Sequence, residues 1–133
     1  MSKANKTKKM NEYEQKAADL LNDRLAIAKM AFATSADYGM YSGMVQMLVT
    51  LDYSVVTRRG KHIVYDISDA NKMNEYEQQA AQLLDNKLLM TKMAFATPAD
   101  QSAYNGMLQM LLALGYDAIM SDGKHRVFDT KED

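Results

Sequence analysis

Hydrophobic residues recur at steps of three and four positions near the start of the chain, which predicts an amphipathic helix. Asn11 opens this segment and Glu14 follows three residues later, a spacing typical of an N-cap with a reciprocating carboxylate. The stripe runs to about Ala33 and is expected to face a core: Tyr13, Ala17, Leu20, Leu21, Leu25, Ala28 and Phe32.

A second helix is predicted directly after the first. Thr34 and Asp37 repeat the capping pattern, and apolar residues again follow at helical spacing as far as Leu51. The period then changes to two on either side of Arg59-Gly60, which indicates a β-hairpin with a two-residue turn. The expected cross-strand neighbours are Val55 with Val64, Val56 with Ile63, and Thr57 with His62.

The whole pattern occurs twice. A shift of 63 residues aligns the chain with itself without a gap, and 32 of the 57 positions from 10 to 66 are identical. The second copy repeats the cap as Asn74 with Glu77, places Pro98 at the start of its second helix, and has a type I′ turn signal in Asp122-Gly123. The chain is therefore a tandem duplication.

The predicted fold class is α+β, a duplicated helix-helix-β-hairpin unit of order ααββ-ααββ. The expected divisions are a disordered basic tail at 1–9, repeat 1 at 10–67, a linker at 68–72, repeat 2 at 73–130 and a tail at 131–133. A unit of about 60 residues buries little surface alone, so the copies are expected to pack as one pseudo-twofold domain. A sheet shared between the copies, or a partner, would cover apolar groups on the outer faces of the hairpins.

The composition of the chain limits the kinds of catalytic, metal-binding and membrane-spanning segments that it can contain. The chain of 133 residues has no cysteine, two histidines and a formal net charge of −1. These features disfavour disulfides, thiolate catalysis and metal sites, and we expect no cofactor and no metal. The opening lacks the apolar centre of a secretion signal, and no long apolar run is present, so a cytoplasmic protein without a membrane contact is predicted.

The two histidines are the clearest catalytic candidates. Each follows Gly-Lys in its own copy, so the duplication explains the pair without catalysis. His62 and Asp66 lie four residues apart on one strand, roughly 13 Å, which is too far for a hydrogen bond. Pairing across the copies, of His62 with Asp129 or His125 with Asp66, is the remaining alternative. We predict no catalytic residues and a protein that is not an enzyme.

Divergence between the copies points to a contact surface. The copies agree at 17 of 25 positions from 10 to 34 but at only 6 of 14 from 53 to 66. The tip of the first hairpin is basic, whereas Ser121 and Asp122 replace its arginines in the second. Drift of an exposed loop and contact with an acidic partner both explain the change. The predicted partner-binding residues are Arg58, Arg59, Lys61, His62, Val56, Ile63 and Tyr65.

Two features of the helices bear on packing. The chain has twelve methionines, which suit either a core or an adaptable groove that repacks around partners. Gly39 and Gly43, with Ser102 and Gly106 in the second copy, are small residues four positions apart. They predict a close approach between helix backbones.

The repeated opening N-E-Y-E-Q-x-A-A-x-L-L, at residues 11–21 and 74–84, resembles the start of small accessory proteins of phages and other mobile elements. The likeness covers eleven residues per copy and carries no functional residues. It implies a non-enzymatic inhibitor or adaptor acting on host machinery, including CRISPR effectors. Such inhibitors are often strongly acidic nucleic-acid mimics, and this chain departs from that pattern.

A protein-binding inhibitor or adaptor is therefore the favoured function. A nucleic-acid-binding module is the first alternative, with the basic tip of repeat 1 lying along phosphates as a wing. A structural or assembly protein is the second, because apolar hairpin faces also drive dimer formation. The sequence leaves monomer and homodimer open.

Overall fold

The computed structural model describes residues 10–131 of the chain. The basic tail predicted at 1–9 and the last two residues lie outside the described part. The elements follow the order ααββ twice: α1 (Glu12–Ala28), α2 (Ser35–Thr50), β1 (Tyr53–Arg58), β2 (Lys61–Asp66), a 3-10 turn (Ala70–Lys72), α3 (Met73–Thr91), α4 (Pro98–Ala113), β3 (Tyr116–Ser121) and β4 (Lys124–Asp129). The predicted α+β duplication is confirmed.

Helix α1 begins as predicted. The Asn11 side chain accepts a hydrogen bond from the Glu14 N–H, and the Glu14 carboxylate accepts one from the Asn11 N–H, both at 2.8 Å. The second carboxylate oxygen of Glu14 accepts the Asp66 N–H at 2.8 Å. Glu14 is only 1% exposed, and each of its two carboxylate oxygens accepts a hydrogen bond, as a buried polar group requires. The capping group therefore also ties α1 to β2.

Helix α3 does not repeat this cap. Its first turn is continuous with the preceding 3-10 turn, so the helix begins at Met73 and Asn74 already lies inside it. The prediction of a cap by Asn74 with Glu77 is wrong because Asp69 starts the helical chain earlier. The side chain of Asp69 accepts a hydrogen bond from the Asn71 N–H at 2.9 Å.

The helix-to-hairpin corners use left-handed residues. Asp52 (φ 65°) and Gly115 (φ 85°) occupy equivalent positions after α2 and α4. At both hairpin turns the two central residues have positive φ, as a type I′ turn requires. The predicted register is confirmed, with Val55 opposite Val64.

The two copies join through α2 and α4. A Cβ added to Gly39 would lie 2.5 Å from the carbonyl oxygen of Ala99, and one added to Gly43 or Gly106 would also strike backbone of the other helix. The predicted close approach is confirmed. The methionines flanking these glycines fill the centre of the core and have no exposed surface: Met44, Met47, Met107 and Met110.

Each first helix also reaches the other repeat. Tyr76 on α3 donates a hydrogen bond from its hydroxyl to the Asp52 carboxylate at 3.0 Å. Tyr13 on α1 packs against Gly115, where an added Cβ would lie 2.9 Å from the tyrosine ring. These are equivalent tyrosines at equivalent corners, so each repeat contacts the other at the same position, through a hydrogen bond at Asp52 and through packing at Gly115.

The hairpins do not extend one sheet. β1 pairs with β2 and β3 pairs with β4, as two separate antiparallel ribbons. Of the two alternatives that the sequence left open for covering the outer faces, a shared sheet is excluded, because the helices, not the ribbons, form the seam. Each ribbon packs on the first helix of its own repeat and leaves its outer face open to solvent.

Candidate partner-binding surface

The tip of the first hairpin places three cations in solvent. Arg59 (φ 53°) and Gly60 (φ 79°) form the turn, and Arg58 and Lys61 flank it as the last cross-strand pair. The side chains of Arg58, Arg59 and Lys61 are all exposed. The tight turn fixes the backbone that carries them, so their charge is concentrated at one place.

The outer face of the same ribbon is apolar. Val56 and Ile63 are direct cross-strand partners, and Tyr65 lies two residues beyond Ile63 on the same side. Val56 is 37% exposed, and the other two side chains are half-buried. The structure thus brings together six of the seven predicted contact residues in two adjoining groups: the basic tip and this apolar face.

His62 does not belong to that surface. It is 3% exposed and points to the opposite side of the ribbon, toward the helices. Asn22 Oδ1 accepts two hydrogen bonds from it, one from the His62 backbone N–H at 2.8 Å and one from Nδ1 at 2.7 Å. The Tyr41 hydroxyl lies 2.8 Å from Nε2. The structure therefore places His62 behind the ribbon, apart from the other six predicted contact residues.

These contacts assign the protonation of the ring. The side-chain oxygen of Asn22 only accepts, so Nδ1 carries a proton and Nε2 of the neutral ring accepts from the Tyr41 hydroxyl. Burial, followed by the charge of Lys29, lowers the pKa of His62. The neutral ring fastens the hairpin to both helices of its repeat. Neither ring nitrogen is presented to solvent.

The second repeat builds the same arrangement with one change. Asp85 takes the place of Asn22 and accepts from the backbone N–H of His125 at 2.8 Å and from its Nδ1 at 2.7 Å. The Tyr104 hydroxyl lies 2.7 Å from Nε2. Burial acts to raise the pKa of Asp85, but the side-chain and backbone hydrogen bonds from His125 outweigh it, and the pKa is lowered. The acceptor is therefore charged in repeat 2 and neutral in repeat 1.

The geometry also places each histidine within its own repeat. His62 bonds Asn22 and Tyr41, and His125 bonds Asp85 and Tyr104, so the pairing across copies that the sequence left open is not what the rings use. Burial, with a contribution from the Asp85 charge at Tyr104, raises the pKa of both Tyr41 and Tyr104. The tyrosines therefore remain protonated and serve as hydrogen-bonding groups.

A groove separates the basic tip from helix α1. Its volume is about 510 Å³, and charged, amide and apolar side chains line it: Met10, Gln15, Asp19, Asn22, Arg58, Arg59, Lys61, His62 and Ile63. Cations stand on the hairpin side, and Gln15 and Asp19, which are hydrogen-bonded to each other at 3.0 Å, stand on the helix side. The mixed lining suits a polar side chain of a partner better than a purely apolar one.

The partners of the histidines were missed from sequence because they lie 21 and 40 residues away. One signal was available: tyrosine and histidine are kept at both equivalent positions, and the third position changes only between Asn and Asp. These two side chains have the same shape, so either can accept the pair of N–H groups.

Comparison with known proteins gives no relative: no family model, no curated protein and no solved structure matches the chain. None of the helices among residues 10–131 has the length and apolar character needed to cross a bilayer.

Proposed function

We propose that the chain is a non-enzymatic, protein-binding inhibitor or adaptor that uses its first hairpin as the contact surface. One observation carries the proposal: an apolar face of Val56, Ile63 and Tyr65 adjoins three exposed cations on a ribbon that is fastened from behind. An apolar centre with a charged rim is the usual anatomy of a protein interface. An anti-defence role for a mobile element belongs to this proposal and is motivated by the repeated opening alone.

The second hairpin is the natural reference for this surface. It has the same backbone, but Arg126 replaces Ile63 on the outer face, and Ser121 and Asp122 replace the arginines of the tip. Its outer face keeps Ile119, which is 48% exposed, and Phe128, which is 39% exposed. The first hairpin is therefore the one that combines a continuous apolar face with positive charge, which favours a partner with an acidic rim around an apolar site.

Exchange of residues between the hairpins tests the proposal. A tagged chain would be used to capture proteins from a host lysate, in parallel with a variant carrying Arg58→Ser, Arg59→Asp and Ile63→Arg. Each new residue already occupies the equivalent position in repeat 2, so the variant is expected to fold. We expect a specifically retained protein to be lost at least tenfold in that variant, since it removes both the charge and the apolar centre.

The matched control carries the reverse changes in the second hairpin, Ser121→Arg, Asp122→Arg and Arg126→Ile. It should retain the same protein as the unaltered chain. Equal recovery by all three chains would rule out the first hairpin as the contact surface, as would loss in the control.

A nucleic-acid-binding module is the second candidate, favoured by the exposed Arg58, Arg59 and Lys61 at the end of a wing-like ribbon. About three phosphate contacts would make retention fall steeply with salt. Filter binding of mixed DNA and RNA at two salt concentrations tests it. Binding at low salt that disappears with Arg58→Ser and Arg59→Asp supports this function, and no retention at low salt eliminates it.

A further inference from the structure

The loops between the first and second helix of each repeat carry the most exposed aromatic side chains of the described residues. Helix α1 ends at Ala28, not near Ala33 as the apolar stripe predicted. Phe32 therefore leaves the helical face on which it was expected to be buried and is 81% exposed. Its counterpart Phe95 is 80% exposed, and Met30 and Met93 beside them are 48% and 42% exposed.

Both copies keep these loops without a change. Residues 29–34 and 92–97 read K-M-A-F-A-T in each, whereas the exposed hairpin tips have diverged. Folding explains Thr34 and Thr97, which begin the next helices, and the turn bond from the Ala33 N–H to the Met30 carbonyl needs no particular side chain. An almost fully exposed phenylalanine gains little from folding. Its retention in both copies points to a contact outside the chain.

The two loops lie at one end of the molecule. They lead directly into α2 and α4, and those helices cross where Gly39 meets Ala99, within about two turns of both helix starts. Gly43 likewise meets Ala103, so the paired positions advance together and the helices run in the same sense. We call residues 29–38 and 92–101 the phenylalanine end.

Charges of both signs lie at the phenylalanine end. Lys29 and Lys92 accompany the carboxylates of Asp37 and Asp100. Arg24 of α1 lies 4.0 Å from the Asp37 carboxylate and adds a further cation beside it. Cations and carboxylates around an apolar centre can pair across a twofold contact between two copies.

We infer that the phenylalanine end is a self-association surface, through which two copies of this chain meet head to head. A twofold dimer requires one patch that is complementary to itself. The internal pseudo-twofold presents both loops at that patch, so each loop of one copy meets a loop of the other. This arrangement uses all four loops and accounts for the identity of K-M-A-F-A-T in both repeats.

The exposed area is sufficient for such a dimer. Phe32, Phe95 and Tyr38, which is 58% exposed, each carry roughly 150–250 Å² of side-chain surface. Their exposed fractions sum to roughly 900 Å² over two copies, before Met30 and Met93 are added. A specific interface needs about 1,000 Å² in total.

Sedimentation of the full chain over a concentration series tests the inference. We expect a species of twice the 15.0 kDa monomer mass at high micromolar concentration, dissociating on dilution. The double variant Phe32→Ser and Phe95→Ser should stay monomeric, and Phe32→Ser alone should raise the dissociation constant about tenfold or more. Circular dichroism of the double variant should show an unchanged fold, since both side chains are exposed.

The matched control is Val49→Ser with Leu112→Ser, because these equivalent residues are each 61% exposed near the other ends of α2 and α4. It should dimerise like the unaltered chain. A chain that is monomeric throughout, a dimer that survives the phenylalanine changes, or a dimer lost equally in the control would overturn the inference.

Two further experiments test whether the phenylalanine end contacts a second copy of the chain or a lipid surface. The chain has no cysteine, so Ala31→Cys should form an intermolecular disulfide under oxidation while Val49→Cys should not. Cosedimentation with vesicles rich in anionic lipid should show no binding. Vesicle binding by a monomer that depends on Phe32 and Phe95 would replace the inference with a lipid contact. These measurements do not involve the first hairpin and leave the proposed function untouched if they fail.

Discussion

The two repeats fasten their hairpins with the same geometry and different charge. Asn22 and Asp85 each accept a backbone N–H and an imidazole N–H at matching distances, and an equivalent tyrosine meets the other ring nitrogen. The inner face of each ribbon is therefore attached to the helices in the same way. The residues on the outer faces differ between the repeats. The half-buried acceptor thus has the same shape in both repeats but a different charge, and the residues on the exposed side of the ribbon differ more widely.

The largest effect is expected where the repeats meet. Gly43→Ala places a methyl group against backbone of α4, which cannot move without separating the helices, and should lower the free energy of unfolding by about 3 kcal/mol or more. Ser42→Ala, one residue earlier on the exposed side of α2, should change it by less than about 0.5 kcal/mol. Denaturant unfolding measures both. Similar values for the two variants would contradict the close approach.

The second prediction compares how much the two acceptors, Asn22 and Asp85, contribute to the free energy of unfolding. Asn22→Ala and Asp85→Ala each leave two N–H groups of a buried histidine without a partner and should cost about 2–3 kcal/mol. Asp85→Ala should cost about 1 kcal/mol more at neutral pH, because hydrogen bonds to a carboxylate are stronger. Unfolding in urea compares them directly. Equal losses would mean that the charge of Asp85 adds nothing.

The third prediction concerns pH. The lowered pKa of His62 means that its stabilising contribution is complete above the ordinary value of about 6.5 and declines as pH falls through the lower folded value. The lowered pKa of Asp85 keeps its contribution intact until pH falls below the ordinary value of about 3.9. Hydrogen exchange, corrected for intrinsic rates, should therefore show β1 and β2 losing protection in mild acid.

The variant Asn22→Asp tests whether the neutral acceptor beside His62 causes this loss of protection in acid. A carboxylate beside His62 compensates its positive charge, so the variant should lose less protection in β1 and β2 between neutral and mildly acid pH than the unaltered chain. An unchanged pH profile in Asn22→Asp would show that the neutral acceptor is not the cause.

The smallest effect on folding is expected at the tip. Arg58→Ser with Arg59→Asp should change the free energy of unfolding by less than about 0.5 kcal/mol, because both side chains are exposed and the turn geometry is common to the two hairpins. Thermal unfolding checks this. A change above about 1 kcal/mol would make the basic tip a folding element and remove the main reason to regard it as a contact surface.

Local signals predicted most of the fold. Caps at Asn11, Thr34 and Thr97, the turn at Asp122-Gly123 and the left-handed stop at Gly115 all act within a few residues, and the structure has each of them. The duplication repeats several of these signals, such as the caps at Thr34 and Thr97. Long-range contacts could not be predicted from the sequence, because nothing in the local pattern connects His62 with an acceptor 40 residues away.

Two errors show how context overrides a local pattern. Phe32 fits the apolar stripe of α1, but the chain must reverse before the cap at Thr34, so the helix ends and its periodicity no longer applies. Asn74 and Glu77 repeat the letters of a cap, but Ala70–Lys72 already turns as a 3-10 helix in front of them. Identical residues form different helix starts because the preceding segments differ.

The contacts of Tyr13 with Gly115 and of Tyr76 with Asp52 have a consequence for the separate repeats. Each repeat covers a corner of the other, so we expect a single repeat to be stable only as a symmetric pair. The polar linker now acts as a tether that raises the local concentration of one half around the other. A polypeptide nicked within that linker should still hold together, and its separated fragments should reassociate on mixing.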